Sequence, residues 1–130
     1  PRISLKEFEG NLRKMIARTR AAGAEAILMT ANPLRWTPKL KELYGKPPYD
    51  VSRSDGFEAP TLVRYNEIIR KLATELRVPI VDIHKEFQQR EIDKLLLDGM
   101  HPNDAGHEVI AQLLVPVIRE LAQSRASSKK

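Results

Sequence analysis

Asp98 and His101 are the residues whose types and spacing best suit chemistry. They lie three residues apart in the stretch 97–112, which reads LDGMHPNDAGHEVIAQ. A His that acts as a general base needs an acceptor on Nδ1, so that Nε2 faces the proton it removes. An Asp three residues earlier on a tight turn supplies that acceptor, Gly99 permits the turn, and Pro102 fixes the backbone after the His. The pair predicts two members of a Ser-His-Asp triad.

Two other interpretations of this stretch stay open on spacing alone. Asp-x-x-His is also found in surface turns that have no function. A metal site built from Asp98, His101, Asp104 and His107 is the second alternative, but their spacing matches no helical metal-binding motif. The chain has no Cys, which excludes disulfides, thiolate-bound zinc and a cysteine nucleophile. We therefore expect no metal and no cofactor.

Length and composition predict a single ordinary domain. The chain has 130 residues, of which 42% are hydrophobic and 30% are charged. Its apolar runs are too short to span a bilayer, and its first residues lack the apolar core of a secretory signal. We expect a soluble protein without a membrane span, either cytoplasmic or secreted after removal of a signal, and the sequence leaves the compartment open.

The basic net charge does not predict a nucleic-acid partner. The formal charge is +5, but the Lys and Arg residues are spread over helical positions, a Pro-rich loop and the last residues. Nucleic-acid surfaces combine clustered basic residues with aromatic side chains on which bases stack. No such stripe is present in this sequence.

The elements that must position Asp98 and His101 alternate between helix and strand. Ser4 and Glu7 have the capping-box spacing at the start of an amphipathic helix, and Gly23 ends it. The apolar runs EAILMT (25–30) and VPIVDI (78–83) read as strands covered on both faces, with a second amphipathic helix between them. This order predicts an α/β fold with a parallel sheet. Two strands are too few for a doubly wound core, so we expect an incomplete sheet.

The rest of the chain should surround the carboxyl ends of these strands, where open α/β sheets carry their sites. A shorter helical segment over 85–96 leads into the Asp98 stretch, and a last helix begins after Asn103, a good N-cap. Residues 124–130 are expected to form a flexible tail. His84, directly after the second strand, is interpreted as a structural or solvent-facing residue.

The long loop after the first strand is predicted to be an ordered flap. Residues 31–58 contain four Pro and several aromatic side chains, and loops of this length in compact domains are usually functional or disordered. Its aromatic content gives it enough apolar area to fold onto the body. We expect it to border the cleft, with a substrate pocket formed by Asn32, Pro33, Leu34 and Trp36.

Three longer strings resemble the SGNH, or GDSL-like, hydrolases. DGMHPNDAGHEVIA is similar to their last signature, a D-x-x-H followed by Pro, Asn, a Gly and an apolar helix. SLKEFEGNLRKMIARTRAAGAEAILMTANPLRW and RYNEIIRKLATELRVPIVDI resemble two helix-strand units from the middle of these enzymes. The resemblance implies a flavodoxin-like three-layer α/β/α parallel sheet in which Asp98 and His101 match the Asp and His of the triad.

The first signatures of that family have no match in this sequence. The nucleophile block G-D-S is absent, because Ser54 and Asp55 precede Gly56 in the reverse order. A G-x-N-D block for the oxyanion Asn is also absent. We therefore expect residues 1–123 to be the C-terminal portion of a single SGNH-type domain, whose N-terminal complement supplies the nucleophile and is a partner of this chain.

The resemblance implies ester hydrolysis by an acylhydrolase or esterase. The substrate would be a small-molecule, carbohydrate or lipid ester, and this chain alone would be inactive. The alternative is a non-catalytic half-domain or interaction module that pairs with another chain. A companion sequence that carries G-D-S and G-x-N-D separates the two, because only the enzyme requires it.

Overall fold

The computed structural model describes residues 3–47 and 60–127. In these residues two helices separate the two strands, and a 3-10 turn (Ile92–Lys94) precedes the last helix. The elements are α1 (Leu5–Ala21), β1 (Leu28–Met29), α2 (Pro38–Tyr44), α3 (Pro60–Leu76), β2 (Ile80–Val81), α4 (Ile83–Gln88) and α5 (Asp104–Ser127).

The two strands form a parallel pair, as the alternation of helix and strand predicted. Leu28 lies beside Ile80, and Met29 lies beside Val81. The regular strands are only two residues long, shorter than the apolar runs that predicted them. Within the described ranges the sheet has these two strands, fewer than a doubly wound core contains. The predicted α/β class with a parallel sheet is confirmed.

Helices cover both faces of the sheet, because successive side chains of a strand point to opposite sides. Leu28 and Ile80 pack with α1 and α3. Met29 and Val81 pack on the other face with α4, α5 and the chain between them. Three layers result, with the sheet in the middle. Of the described helices, none is long and apolar enough to cross a membrane.

Both ends of α1 follow the sequence signals. The Ser4 hydroxyl accepts a hydrogen bond from the Glu7 amide, and the Glu7 carboxylate accepts one from the Ser4 amide, as in a capping box. After the helix, Gly23 has a φ of +71°, a conformation that favours glycine. The carbonyl of Gly23 also accepts a hydrogen bond from Arg125 on α5.

The segment between β2 and Asp98 differs from the prediction. One helical segment was predicted over 85–96, whereas α4 ends at Gln88 and the 3-10 turn follows it. Phe87 and Ile92 are both buried in the same core cluster. Positions five apart point about 140° away from each other on a continuous α-helix. Both side chains reach one core because the helix ends between them.

Two further segments are more helical than predicted. The flap predicted over 31–58 contains α2, which begins with Thr37 as N-cap and Pro38 at its first position; its residues 48–58 lie outside the described ranges. The helix α5 continues to Ser127, so residues 124–127 are helical where a flexible tail was predicted. Residues 128–130 lie outside the described part.

The carboxylate of Asp82 joins the ends of the two strands. It accepts hydrogen bonds from the Thr30 hydroxyl (2.9 Å), from Arg70 (2.7 and 2.9 Å) and from the Lys85 amide (3.2 Å). The Thr30 hydroxyl in turn accepts one from the His84 amide at 2.9 Å. Burial opposes ionisation of Asp82, but the hydrogen bonds from Arg70, Lys85 and Thr30 outweigh it and lower its pKa to about 2.

We predict that Asp82→Asn lowers the free energy of unfolding at pH 7 by about 1 to 2 kcal/mol. Because the folded pKa lies below the usual value of 3.8, the ionised carboxylate stabilises the fold above that value. This contribution is lost as pH falls toward 2. Denaturation curves of both proteins at several pH values should therefore converge in acid. Asp93→Asn, at an exposed position, is the control, and an equal loss there would contradict the prediction.

Candidate functional site

Asp98 and His101 are hydrogen-bonded to each other, as predicted. Oδ2 of Asp98 lies 2.9 Å from Nδ1 of His101. Oδ1 accepts hydrogen bonds from the amides of Met100 at 2.9 Å and of His101 at 2.8 Å. A neutral imidazole that carries its hydrogen on Nδ1 donates it to the carboxylate and leaves the lone pair of Nε2 available. We call residues 98–101 the 98–101 turn.

The carboxylate in this turn is held in its ionised form. The amide of His101, its imidazole and the amide of Met100 lower the pKa of Asp98 well below its usual range. The His101 side chain is 68% exposed, whereas that of Asp98 is 28% exposed. The acceptor is therefore sheltered by the turn while the imidazole remains accessible from outside.

Gly99 occupies a position in the turn that no other residue fits. Its φ is +92°, where L side chains are strained. A Cβ at this position would lie 2.2 Å from the carbonyl oxygen of Arg35 and 2.8 Å from the Thr37 methyl group. Both conformation and space therefore require glycine between Asp98 and His101.

Backbone contacts join the residues just before the turn to its last residue and to the residue that follows it. Leu96 and Pro102 form an isolated antiparallel bridge, and the Leu97 amide donates to the His101 carbonyl at 2.8 Å. Asn103 then caps α5, because its Oδ1 accepts a hydrogen bond from the Gly106 amide at 3.0 Å. The predicted N-cap is confirmed, and it fixes the turn to the start of a long helix.

The first residues of the predicted flap contact the turn directly. The Thr37 hydroxyl donates to the carbonyl of Asp98 at 2.9 Å. The Arg35 amide donates to the carbonyl of Gly99 at 2.7 Å, and the Asn32 side-chain amide donates to the carbonyl of Met100 at 3.0 Å. We call residues 32–37 the bracing segment.

The four predicted pocket residues all lie in the bracing segment. Pro33 is fully buried, while Leu34 and Trp36 are half-buried. The side-chain NH₂ of Asn32 donates to the carbonyls of Pro33 and Met100, so both of its hydrogens are engaged. Contact of these residues with a substrate stays a prediction.

The other predicted candidates lie away from the turn or outside the described ranges. His84 is buried, with 4% of its surface exposed, which agrees with a structural role. His107 is exposed on the first turn of α5. The Ser54 and Asp55 pair lies outside the described residues. No group of three His, Asp or Glu side chains in the described ranges is arranged to hold a metal ion.

A support behind the bracing segment was not predicted from the sequence. Asn66 on α3 is completely buried, and its side chain accepts from the Ala31 amide at 3.0 Å and donates to the Ala31 carbonyl at 3.1 Å. Thr30 directly precedes Ala31 and donates a hydrogen bond to Asp82. Thr30 and Asp82 are each the first polar residue after a buried strand. Because such residues meet at the carboxyl edge of a parallel sheet, their positions in the sequence could have predicted this contact.

This chain matches the model of a known protein family and is similar to known proteins in sequence and in fold. The model of the GDSL-like lipase/acylhydrolase family matches residues 2–109. An isoamyl acetate-hydrolyzing esterase from Saccharomyces cerevisiae is 25% identical over 122 residues, which cover 89% of this chain and 48% of the esterase.

Two solved structures show the same fold over about half of their length. A GDSL-like lipase from Bacteroides thetaiotaomicron matches with a TM-score of 0.69 at 17% identity, over 91% of this chain and 54% of the lipase. An acetylxylan esterase from Geobacillus stearothermophilus matches with a TM-score of 0.59 at 21% identity, over 87% and 46% respectively. This chain therefore spans about half the length of these relatives.

We predict that Gly99→Ala destabilises the chain by about 1 to 3 kcal/mol, because the new methyl group meets the Arg35 carbonyl and the backbone is strained. Gly10→Ala is the matched control. A Cβ at Gly10 meets nothing within 4 Å, and Ala in a helix interior should stabilise by about 0.5 to 1 kcal/mol. Urea denaturation of both variants tests this, and opposite signs are expected. Equal stability of Gly99→Ala and the parent chain would contradict the described packing.

Proposed function

Because the chain belongs to the GDSL-like lipase/acylhydrolase family, we propose that Asp98 and His101 are the Asp and the His of a Ser-His-Asp triad that hydrolyses esters. The observation that carries this proposal is the 2.9 Å contact between Oδ2 and Nδ1 within a closed turn. Membership in a family of hydrolases supports the class of reaction. The low pKa of Asp98 supports its role as a permanent anion beside the base.

In the proposed mechanism His101 carries the proton in both steps. Nε2 accepts the proton of a serine hydroxyl as its oxygen attacks the ester carbonyl, and it returns the proton to the leaving alcohol. A water molecule then attacks the acyl-enzyme as Nε2 takes its proton, and Nε2 returns that proton to the serine oxygen as the carboxylic acid leaves. The Asp98 carboxylate holds the imidazole orientation and stabilises the imidazolium that forms in each step.

The nucleophilic serine is proposed to come from outside this sequence. The sequence contains no G-D-S block, and the relatives are about twice as long as this chain. Thr30 is a poor nucleophile because it is 2% exposed, and its hydroxyl already donates to Asp82 and accepts from the His84 amide. The N-terminal complement that carries the serine is the partner this proposal requires.

The bracing segment is proposed to form one wall of the substrate pocket. Its residues begin three positions after the carboxyl end of β1 and contact the turn that holds His101, which supports a position of Leu34 and Trp36 beside the reacting ester. Two relatives carry acetate esters in their names, isoamyl acetate and acetylxylan. An acetyl ester is therefore the first substrate to test.

The coding sequence upstream of Pro1 separates the enzyme from the alternative interaction module. A G-D-S block followed by a G-x-N-D block, upstream or on a companion polypeptide, supports the triad. If neither block accompanies this chain, the proposal of catalysis fails and the interaction module is favoured. Reading that sequence needs no assay, so it is the first experiment.

We predict that His101→Ala lowers kcat on an acetyl ester by about 10⁴-fold to 10⁶-fold in the domain completed with its serine. Asp98→Asn should lower it by about 10⁴-fold, because an Asn favours the wrong tautomer of the imidazole. His107→Ala is the matched control, since that His is exposed on α5, and it should leave the rate unchanged. Equal losses for His107→Ala and His101→Ala would contradict the assignment.

The proposed mechanism needs the unprotonated imidazole of His101, because only a free lone pair on Nε2 accepts the proton of the serine. The Asp98 carboxylate stays ionised well below the usual carboxyl pKa of 3.8, because the amides of the turn and the imidazole lower its pKa. Protonation of Asp98 should therefore cause no loss of kcat/KM at the usual pKa of an Asp, which a pH profile of kcat/KM checks. Turnover by residues 1–130 alone would contradict the placement of the serine outside this sequence.

A further inference from the structure

Three successive carbonyls of the 98–101 turn accept hydrogen bonds from one segment of the chain. The donors are the Thr37 hydroxyl to Asp98, the Arg35 amide to Gly99 and the Asn32 side chain to Met100. All three bonds use backbone oxygens of the turn. They therefore leave the Asp98 carboxylate and the His101 imidazole available to each other and to a substrate.

The bonds inside the turn fix its shape, whereas those from the bracing segment fix its direction. Asp98 reaches residues only two or three positions ahead, so these bonds move with the turn as one unit. The bracing segment lies more than sixty positions earlier in the chain. It relates the turn to the carboxyl end of β1, which lies three positions before the start of the segment.

The bracing segment is itself held at both ends. Directly before its start, the buried Asn66 side chain binds both backbone polar groups of Ala31. At its end, the Thr37 hydroxyl also accepts a hydrogen bond from the Leu40 amide at 3.2 Å and so caps α2. Leu40 is buried, with 3% of its surface exposed. Because the bracing segment is held in this way, its three hydrogen-bond donors can orient the turn that they contact.

We propose that Asn32 and Thr37 are positioning residues, which aim Nε2 of His101 by holding the carbonyls of the 98–101 turn. This inference rests on the proposed function, because an aimed base matters only where it removes a proton. Neither side chain takes part in proton transfer itself. Loss of one donor leaves the hydrogen bond between Asp98 and His101 intact and changes the direction of the imidazole relative to the sheet.

The test uses two variants that share the loss of one donor to the turn, Thr37→Val and Asn32→Ala. Thr37 also caps α2, but Asn32 caps no described helix. An effect that both variants share therefore reports the loss of a hydrogen bond to the turn rather than the loss of the α2 cap. Thr37→Ser, which keeps the hydroxyl, is the conservative rescue. Thr74→Val is the matched control, because the Thr74 hydroxyl donates to the Arg70 carbonyl on the exposed side of α3.

The first readout is the NMR signal of the His101 imidazole in residues 1–130, which needs no activity. We expect the ¹H and ¹⁵N signals of the ring to move and broaden in Thr37→Val and Asn32→Ala. The spectra of Thr37→Ser and Thr74→Val should overlay with that of the parent chain. Unchanged ring signals in both donor-loss variants would overturn the proposal.

The second readout is the split between kcat and KM on an acetyl ester in the completed domain. Misplacement of a reacting group by about 1 Å costs up to about 100-fold, so we expect Thr37→Val to lower kcat by about 10-fold to 100-fold with KM within about twofold. Thr37→Ser should recover most of kcat. A lower melting temperature with unchanged kcat would assign Thr37 a structural role only and overturn the proposal.

The two readouts separate this inference from the proposed function. If the ring signals move in the donor-loss variants and the completed domain has no esterase activity, the hydrogen bonds from the bracing segment have a structural role only. The positioning role then fails together with the proposed function. If activity depends on His101 and kcat is unaffected by Thr37→Val and Asn32→Ala, the proposed function stands and the positioning role fails.

Discussion

The Asp82 carboxylate joins three elements at the edge of the sheet where the site lies. It accepts hydrogen bonds from Thr30 at the end of β1, from Arg70 on α3 and from the Lys85 amide at the start of α4. The bracing segment begins two residues after Thr30, and the chain that leads to the 98–101 turn begins directly after Asp82. The starting points of both segments therefore depend on one partly buried carboxylate. The hydrogen bonds that join the bracing segment to the 98–101 turn depend on those starting points.

Several residues of the DGMHPNDAG string have a packing or capping role rather than a chemical one. Gly99 avoids the Arg35 carbonyl, and Asn103 caps α5. Gly106 allows the first turn of α5 to approach the chain before the turn, because a Cβ there would lie 2.3 Å from the Leu95 carbonyl oxygen. Asp98 and His101 form the hydrogen-bonded pair that the turn holds. The string is therefore recognisable because its glycines and its helix cap are required for this pair to stand in a fixed turn.

Contacts between neighbours in sequence were predictable, and contacts between distant segments were not. The capping box of α1, the Asn103 cap and the contact between Asp98 and His101 each span three residues, so spacing alone reveals them. The bonds from Thr30 to Asp82 and from Asn32 to Met100 span 52 and 68 residues, and no periodic pattern marks them. The helix α2 was missed because its Pro-rich surroundings indicate a loop, although Thr37 followed by Pro38 is a typical helix start.

The difference in sequence span between the two sets of bonds also sets an order of folding. Bonds across two or three residues form quickly, whereas bonds that span 61 to 68 residues wait for closure of a long loop. We therefore expect a folding chain to join the Asp98 carboxylate to the His101 imidazole before the bonds from the bracing segment orient the pair. In partial opening we expect the reverse order: the long-range bonds separate first, and the orientation of His101 relative to the sheet is lost while the helices remain intact.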